Sequence, residues 1–107
     1  MKLIADTHTH TLASTHAYST ILENAQFAAS IGLLYLGMTD HAPKMTDAPH
    51  WWHFENLRIL PDELFGVELL RGIEANICDY EGGLDVTDEQ LARLSFVVAS
   101  IHSPVLA

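Results

Sequence analysis

The chain contains seven histidines among its 107 residues, and the first two stand beside a carboxylate in a pattern that suits a metal ion. Asp6, His8 and His10 are separated by single residues, so an extended backbone would present all three side chains on one face. Imidazole is the commonest metal ligand in proteins and titrates near neutral pH. This spacing alone leaves two interpretations open, a metal site and a solvated polar strand.

Three apolar runs elsewhere in the chain end in residues of the same ligand-forming kind. His41 comes shortly after the run 33–39, Glu74 closes the run 69–74, and His102 follows the run 96–101. Parallel strands gather their active sites at their carboxyl ends, where the connecting loops converge. Four predicted strands with a His or Glu at that end therefore favour a metal cluster over four unrelated capping residues. His16 lies in the loop after the first strand, where it either joins this cluster or is an ordinary loop histidine.

The rest of the sequence predicts helices between these strands. The sequence predicts a first strand over residues 3–5 and a helix over 21–31, which begins with a capping box from Thr20 to Glu23 and ends before Gly32. A short helix is predicted over 54–60 and a second capping box starts a brief helix at Thr87. Gly82 and Gly83 indicate a hairpin turn. Strands that alternate with helices predict an α/β fold with a parallel sheet.

Charge and composition exclude several classes of function. Five basic residues stand against 14 acidic ones, giving a net charge of −9, which argues against a nucleic-acid-binding or anionic-membrane surface. The longest apolar runs are shorter than the roughly 20 residues of a membrane span, and the first residues do not form a signal peptide. A single cysteine, Cys78, excludes an internal disulfide. We therefore expect a cytoplasmic protein.

Five segments, taken in order, resemble the PHP superfamily, named for polymerases and histidinol phosphatases. They are Asp6-Thr-His-Thr-His10, His16-Ala-Tyr-Ser19, Thr39-Asp-His41, Arg71-Gly-Ile-Glu74 and Ser100-Ile-His102. The run Asp47-Ala-Pro-His-Trp-Trp-His-Phe54 is similar to the YcdX-type phosphatases of that superfamily in particular. The resemblance covers essentially the whole chain.

The resemblance implies a distorted barrel of seven βα units with a zinc cluster at the carboxyl ends of the strands. The positions in this chain that match the family's metal ligands are His8, His10, His16, His41, Glu74 and His102, with Glu74 bridging two metals. It implies a metal-dependent phosphatase that hydrolyses a small phosphate monoester by metal-activated water. Two or three zinc ions are expected in a complete domain, and manganese is an alternative.

Family members of this kind are about twice as long, so residues 1–107 correspond to the N-terminal half of the barrel and lack the remaining ligands. Catalytic zinc takes about three protein ligands, so these six residues suffice for two metals and not for three. We therefore expect the isolated segment to have little activity and to associate with itself through the exposed edge of its last strand. The alternatives are a non-catalytic metal-binding segment and a histidinol-phosphatase or nuclease type of PHP enzyme.

Several other residues have two interpretations each. Asp6 and Asp40 either orient ligand histidines or cap loops. The segment from His50 to His53 is interpreted as a substrate lid or pocket wall, with an exposed interaction patch or a loop folded on the barrel mouth as the alternatives. Arg71 either contacts a phosphate or pairs with an acid, and Cys78 is expected to be a small buried hydrophobic residue.

Overall fold

A computed structural model of the protein describes residues 1–106 and shows a five-stranded sheet flanked by short helices. A 3-10 helix, Asn56–Ile59, directly follows the second α-helix, Trp52–Glu55. The elements in chain order are β1 Ala5–Thr9, α1 Ile21–Ser30, β2 Tyr35–Met38, α2 Trp52–Glu55, β3 Glu63–Leu64, β4 Val67–Asn76, α3 Asp88–Ala92 and β5 Phe96–Ser100.

Four of the strands run parallel in the order β1-β2-β4-β5. Strand β4 is long enough to pair with β2 through residues 68–71 and with β5 through residues 72–76. The two-residue β3 runs antiparallel to the beginning of β4, on the same edge that β5 occupies further along. The predicted α/β class with parallel strands is therefore confirmed, and the arrangement is consistent with half of a barrel.

Helix α1 begins and ends where the sequence signals indicate. The Thr20 hydroxyl accepts a hydrogen bond from the Glu23 N–H at 3.2 Å, and the Glu23 carboxylate accepts one from the Thr20 N–H at 3.0 Å. Gly32, with a φ of +84°, takes the left-handed conformation that ends many helices. The same reciprocal capping opens α3 at Thr87. Both capping boxes are confirmed, because such a signal depends only on residues within one turn.

One strand prediction needs correction, and one strand was not predicted. The first strand lies over Ala5–Thr9 and not over residues 3–5, so it contains the Asp-x-His segment itself, while Leu3 is 73% exposed. Pairing with β2 sets this boundary, since the register begins at Ala5 opposite Tyr35. Strand β3 was not expected, because its two residues are too short to form a pattern. Its existence depends on pairing with β4.

The core lies between the sheet and the helices, and it anchors the segment that follows β2. Ala25 and Ala28 of α1 are buried, and Phe54 and Leu57 join them together with apolar residues of β2 and β4. Arg71 reinforces this packing, since its guanidinium donates to the carbonyl oxygens of Leu57 at 3.0 Å and Leu60 at 2.7 Å.

The arginine also forms an ion pair with Asp62 at 3.1 Å, so the structure supports the acid-pairing interpretation of Arg71 over phosphate contact. None of the helices within residues 1–106 combines the length and the apolar character that a membrane crossing needs.

Candidate metal centre

Glu74 is the centre of a cluster of imidazole rings at the carboxyl end of the parallel strands. Its carboxylate is almost fully buried, and its Oε1 lies 2.9 Å from His8 Nε2 and 3.1 Å from His10 Nε2. His8 lies on β1 and His10 directly follows its last residue, so the two rings project to the same face as residues two apart on an extended chain do. The predicted carboxylate and the predicted His-x-His pair therefore meet across the sheet, with β2 between their strands.

Two further histidines approach Glu74 from the neighbouring strand ends. His41 Nδ1 lies 3.5 Å from Oε1, and a bridge between His41 and Glu74 extends the pairing of β2 with β4. His102 follows β5 and places its Nε2 3.2 Å from Oε2. Three rings thus lie nearest to Oε1 and one lies nearest to Oε2, so the two carboxylate oxygens could contact different cations.

The missing hydrogen bonds of the cluster fit a bound cation, and one of its ring-to-carboxylate distances does so as well. Zinc lies 2.0–2.2 Å from nitrogen and oxygen ligands, so tetrahedral neighbours are about 3.3 to 3.5 Å apart. The His41–Glu74 distance of 3.5 Å matches this spacing, whereas the distances from Glu74 to His8, His10 and His102, at 2.9–3.2 Å, are shorter. Buried polar atoms are nearly always hydrogen-bonded, yet four atoms of the cluster have no such partner: His10 Nδ1, His41 Nδ1, Asp47 Oδ1 and Glu74 Oε1.

Asp47 is a site residue that the sequence reasoning did not assign. It lies in the loop after β2, its Oδ2 contacts His16 Nδ1, and its Oδ1 is buried without a partner. Its ligand atom clusters with those of His16 and His41, so these three residues could hold a metal. Nothing in the local sequence distinguishes Asp47 from other acidic residues in loops. Asp47 is identified as a site residue only because the folded loop brings it back to the carboxyl ends of the strands.

The structure therefore brings all six predicted ligands to one end of the sheet, in three overlapping groups of three. The groups are His8 with His10 and Glu74, His41 with Glu74 and His102, and His16 with His41 and Asp47. A neutral imidazole has one free lone pair, so His41 can serve only one of its two groups. The described residues consequently supply two complete three-ligand sets at a time.

Asp40 supports the cluster from behind and is itself fully buried. Its carboxylate accepts hydrogen bonds from the Thr11 N–H and hydroxyl, both at 2.7 Å, and from the Ser14 hydroxyl at 2.8 Å. His53 Nε2 lies 3.2 Å away and His10 Nδ1 3.8 Å away. Asp40 thus holds the loop after β1 and places a negative charge beside a predicted ligand. Asp6 has a different role, since its carboxylate accepts from the His8 N–H.

The protonation tendencies of the site follow from these contacts. Burial opposes ionisation of Asp40, but interactions with His10 and His53 and the hydrogen bonds from Thr11 hold its pKa well below the usual range. The interaction with Asp40 in turn raises the pKa of His10, against the opposing effect of burial.

His41 and Glu74 are shifted in the directions that suit metal ligands. Burial lowers the pKa of His41 and favours the neutral ring. For Glu74, burial would raise the pKa, but the interaction with His8 and further polar contacts outweigh it, so its pKa is lowered and the carboxylate is ionised.

The segment predicted as a lid is fixed to the protein at several points. Trp51 packs on the core with its ring 5.0 Å from that of Phe54, and its indole N–H donates to Glu55 at 3.0 Å. His53 contacts Asp40, whereas Trp52 is 76% exposed. Because Trp51 and His53 are held in this way, the segment forms a wall beside the site. Cys78, expected to be buried, is half-buried.

Comparison with known proteins finds close relatives of greater length. The chain is 55% identical over 102 residues to a protein of Acetivibrio thermocellus, 52% over 105 residues to one of Photobacterium profundum, and 55% over 107 residues to one of Aliivibrio fischeri. Each of these relatives bears the name "probable phosphatase". No model of a protein family matches the chain. The matched region covers 95–100% of this chain but only 42–43% of the relatives' own length.

Proposed function

We propose that this chain carries much of the metal centre of a metal-dependent phosphatase that hydrolyses small phosphate monoesters. The observation that carries the proposal is the cluster around Glu74, in which imidazole nitrogens surround a buried carboxylate and four polar atoms lack hydrogen bonds. The relatives named as phosphatases, at 52–55% identity, support the reaction class.

Different residues of the cluster would bind different cations. His8, His10 and Glu74 would bind one ion, and Glu74 would share a second with His41 and His102, while His16 and Asp47 offer a further position. Metals bound in such sites lower the pKa of water and neutralise charge on phosphoryl oxygens. Zinc suits a set of imidazoles with one carboxylate, and manganese is the alternative.

The surrounding residues prepare the cluster for this chemistry. Asp40 restrains the loop after β1 through Thr11 and Ser14, and Glu74 stays ionised because its pKa is lowered. Two complete three-ligand sets from the described residues are consistent with two ions. We propose that a third ion, and full activity, belong to a longer protein in which these residues form the N-terminal portion of a PHP-type barrel.

The proposal is tested by metal analysis together with hydrolysis of an aryl phosphate. The purified chain should bind zinc or manganese, and replacing both His8 and His10 with Ala should remove about one equivalent, because about three protein ligands hold each catalytic zinc. The matched control replaces His50, which is exposed and in contact with Trp52, and it should leave the metal content unchanged.

Hydrolysis should require added metal and should be much greater in a protein of the relatives' full length. Metal content that does not change in the double variant would refute the ligand assignment. Metal binding without hydrolysis in the full-length protein would favour the alternative, a non-catalytic metal-binding protein.

A further inference from the structure

A buried amide next to the cluster has no place in the ligand set, although it contacts one of the proposed ligands. Asn76 ends β4 and has no exposed surface. Its side-chain Oδ1 lies 2.7 Å from Nδ1 of His102. The opposite nitrogen of the same ring, Nε2, lies 3.2 Å from Glu74. Asn76 therefore sits on the outer side of the ring, away from the proposed metals.

Asp85 decides which way the Asn76 amide points. One Asp85 oxygen accepts from the Asn76 backbone N–H at 2.8 Å, and the other accepts from the Asn76 side-chain Nδ2 at 2.7 Å. The second oxygen also accepts from the Lys44 N–H at 2.9 Å. An ionised carboxylate only accepts hydrogen bonds, so the amide NH₂ must face Asp85 and the amide oxygen must face His102.

The amide orientation then selects the form of the imidazole. An amide oxygen cannot donate, so the short contact with His102 is a hydrogen bond only if Nδ1 carries the proton. A neutral ring protonated at Nδ1 has its lone pair on Nε2, which faces Glu74. The lone pair on His102 Nε2 and the Glu74 carboxylate oxygen 3.2 Å away repel each other unless a positive charge lies between them. We infer that Asn76, held by Asp85, is a positioning residue that fixes His102 as the Nδ1-protonated tautomer, with Nε2 ready to bind a cation.

This inference rests on the proposed metal centre for its purpose, but the tautomer can be measured without any metal. In the metal-free protein, Glu74 alone would favour a proton on Nε2 of His102, because the Glu74 carboxylate could then accept a hydrogen bond from that ring. Asn76 favours the opposite tautomer. The two influences predict different spectra, so the measurement separates them.

The experiment is long-range ¹H–¹⁵N correlation NMR of the metal-free chain, at a pH above the ring's own titration. His102 is assigned from the resonances lost in a His102→Gln variant. We expect Nδ1 of His102 to carry the proton. A wild-type ring protonated at Nε2 would overturn the inference, and this measurement needs no variant of Asn76 to fold.

Two variants test the chain of contacts. Asn76→Leu removes the acceptor, and Asp85→Asn removes the group that orients the amide. Each should reduce the Nδ1-protonated fraction and weaken zinc binding by about 10- to 100-fold, the usual effect of losing such a supporting contact. Asp79→Asn is the control, because Asp79 lies in the neighbouring turn and accepts only from backbone N–H groups there.

An Asn76→Leu protein with unchanged tautomer and zinc affinity would also overturn the inference. A wild-type chain that shows the expected tautomer but binds no zinc would refute the proposed metal centre and leave the role of Asn76 as an orienting contact intact.

Discussion

Glu74 shows how one residue can organise a site that four strands build. It lies on the long central strand, with β2 on one side and β5 on the other, so ligands from both neighbours and from β1 can reach it. Its two oxygens face different imidazoles, at 2.9–3.5 Å. A buried carboxylate without hydrogen bonds on Oε1 is costly unless a cation or a proton compensates it.

Replacement of this carboxylate should therefore affect more than one metal position. Glu74→Gln keeps the size of the side chain and removes its charge, and we expect the loss of more than one zinc equivalent. Glu68→Gln is the matched control, since Glu68 is exposed on the same strand. Metal analysis after dialysis measures the difference. Loss of no metal, or an equal loss in both variants, would contradict a bridging role.

The pKa shifts predict how zinc binding depends on pH. Imidazole must be neutral to bind metal, and the raised pKa of His10 lets protons compete at a higher pH than the ordinary value of about 6.5. Zinc affinity should therefore fall as the pH decreases, beginning above about 6.5. His41 contributes less to this loss, because burial lowers its pKa.

Asp40→Asn tests the cause of this dependence. Removing the carboxylate removes the largest contribution that raises the pKa of His10, so the loss of zinc should move to lower pH. Competition with a chelator from about pH 5 to 8 measures the shift, and Asp88→Asn on α3 controls for net charge. Affinity that is constant over this range would exclude imidazole ligation.

For folding of the metal-free chain, the shifted pKa of His10 acts in the direction opposite to its effect on zinc binding, whereas the shifted pKa of Asp40 acts in the same direction as the loss of zinc in acid. A raised pKa means that His10 stabilises the fold fully below its unfolded pKa, and this contribution disappears as the pH rises through its folded pKa. The lowered pKa of Asp40 contributes stability above its unfolded value of about 3.8, and that contribution is lost in acid.

At the scale of elements, the close approach of β1 to β2 sets the position of the His-x-His pair. Gly37 lies on β2 against Thr7, and the Thr9 hydroxyl donates to the Gly37 carbonyl at 2.6 Å. A Cβ on Gly37 would lie 2.5 Å from the Thr7 carbonyl oxygen. Backbone atoms cannot yield as a flexible side chain can, so only glycine allows this contact.

Gly37→Ala should accordingly separate the two strands. We expect a loss of about 1 to 3 kcal/mol in the free energy of unfolding, the usual cost of overpacking, together with weaker zinc binding through His8 and His10. Urea unfolding of the metal-free chain measures the first effect. Gln26→Ala, at an exposed position of α1, should leave both quantities nearly unchanged. A Gly37→Ala protein of wild-type stability would show that the strands can move apart freely.

At the scale of the whole molecule, the last strand presents an open edge. Within residues 1–106, β5 pairs only with β4, and Val97 and Ile101 are 39% and 67% exposed. Unpaired edges with apolar side chains promote association between chains. We expect this chain to associate with itself as its concentration rises.

Val97→Lys should reduce this association, since a charged side chain on an edge strand opposes pairing. Leu22→Lys is the control, because Leu22 is exposed on α1 and away from the edge. Sedimentation velocity over a wide concentration range compares the two variants with the wild-type chain. A monomeric wild-type chain, or equal suppression by both substitutions, would exclude the β5 edge as the interface.

Local signals in the sequence were sufficient for the capped helices α1 and α3 and for the ligand types. The helix predicted over 54–60 is instead α2, Trp52–Glu55, followed by the 3-10 helix Asn56–Ile59. The capping boxes at Thr20 and Thr87 depend on contacts within one turn, and the chain-order resemblance pointed to six residues that the structure brings together. Their actual ligation of metal stays a prediction. The boundaries of β1 and the existence of β3 could not be predicted, because pairing between distant segments sets them.

The sequence by itself determined that a parallel α/β sheet would collect histidines and a glutamate at one end, since strand periodicity and the carboxyl-end rule are properties of the chain and of parallel sheets. Only the tertiary structure decided that Glu74 stands between the rings, that Asp47 joins them, and that Asn76 faces His102. These contacts join residues up to 66 positions apart in number, as with His8 and Glu74. Their distances depend on how strands and loops pack, and no local pattern records that packing.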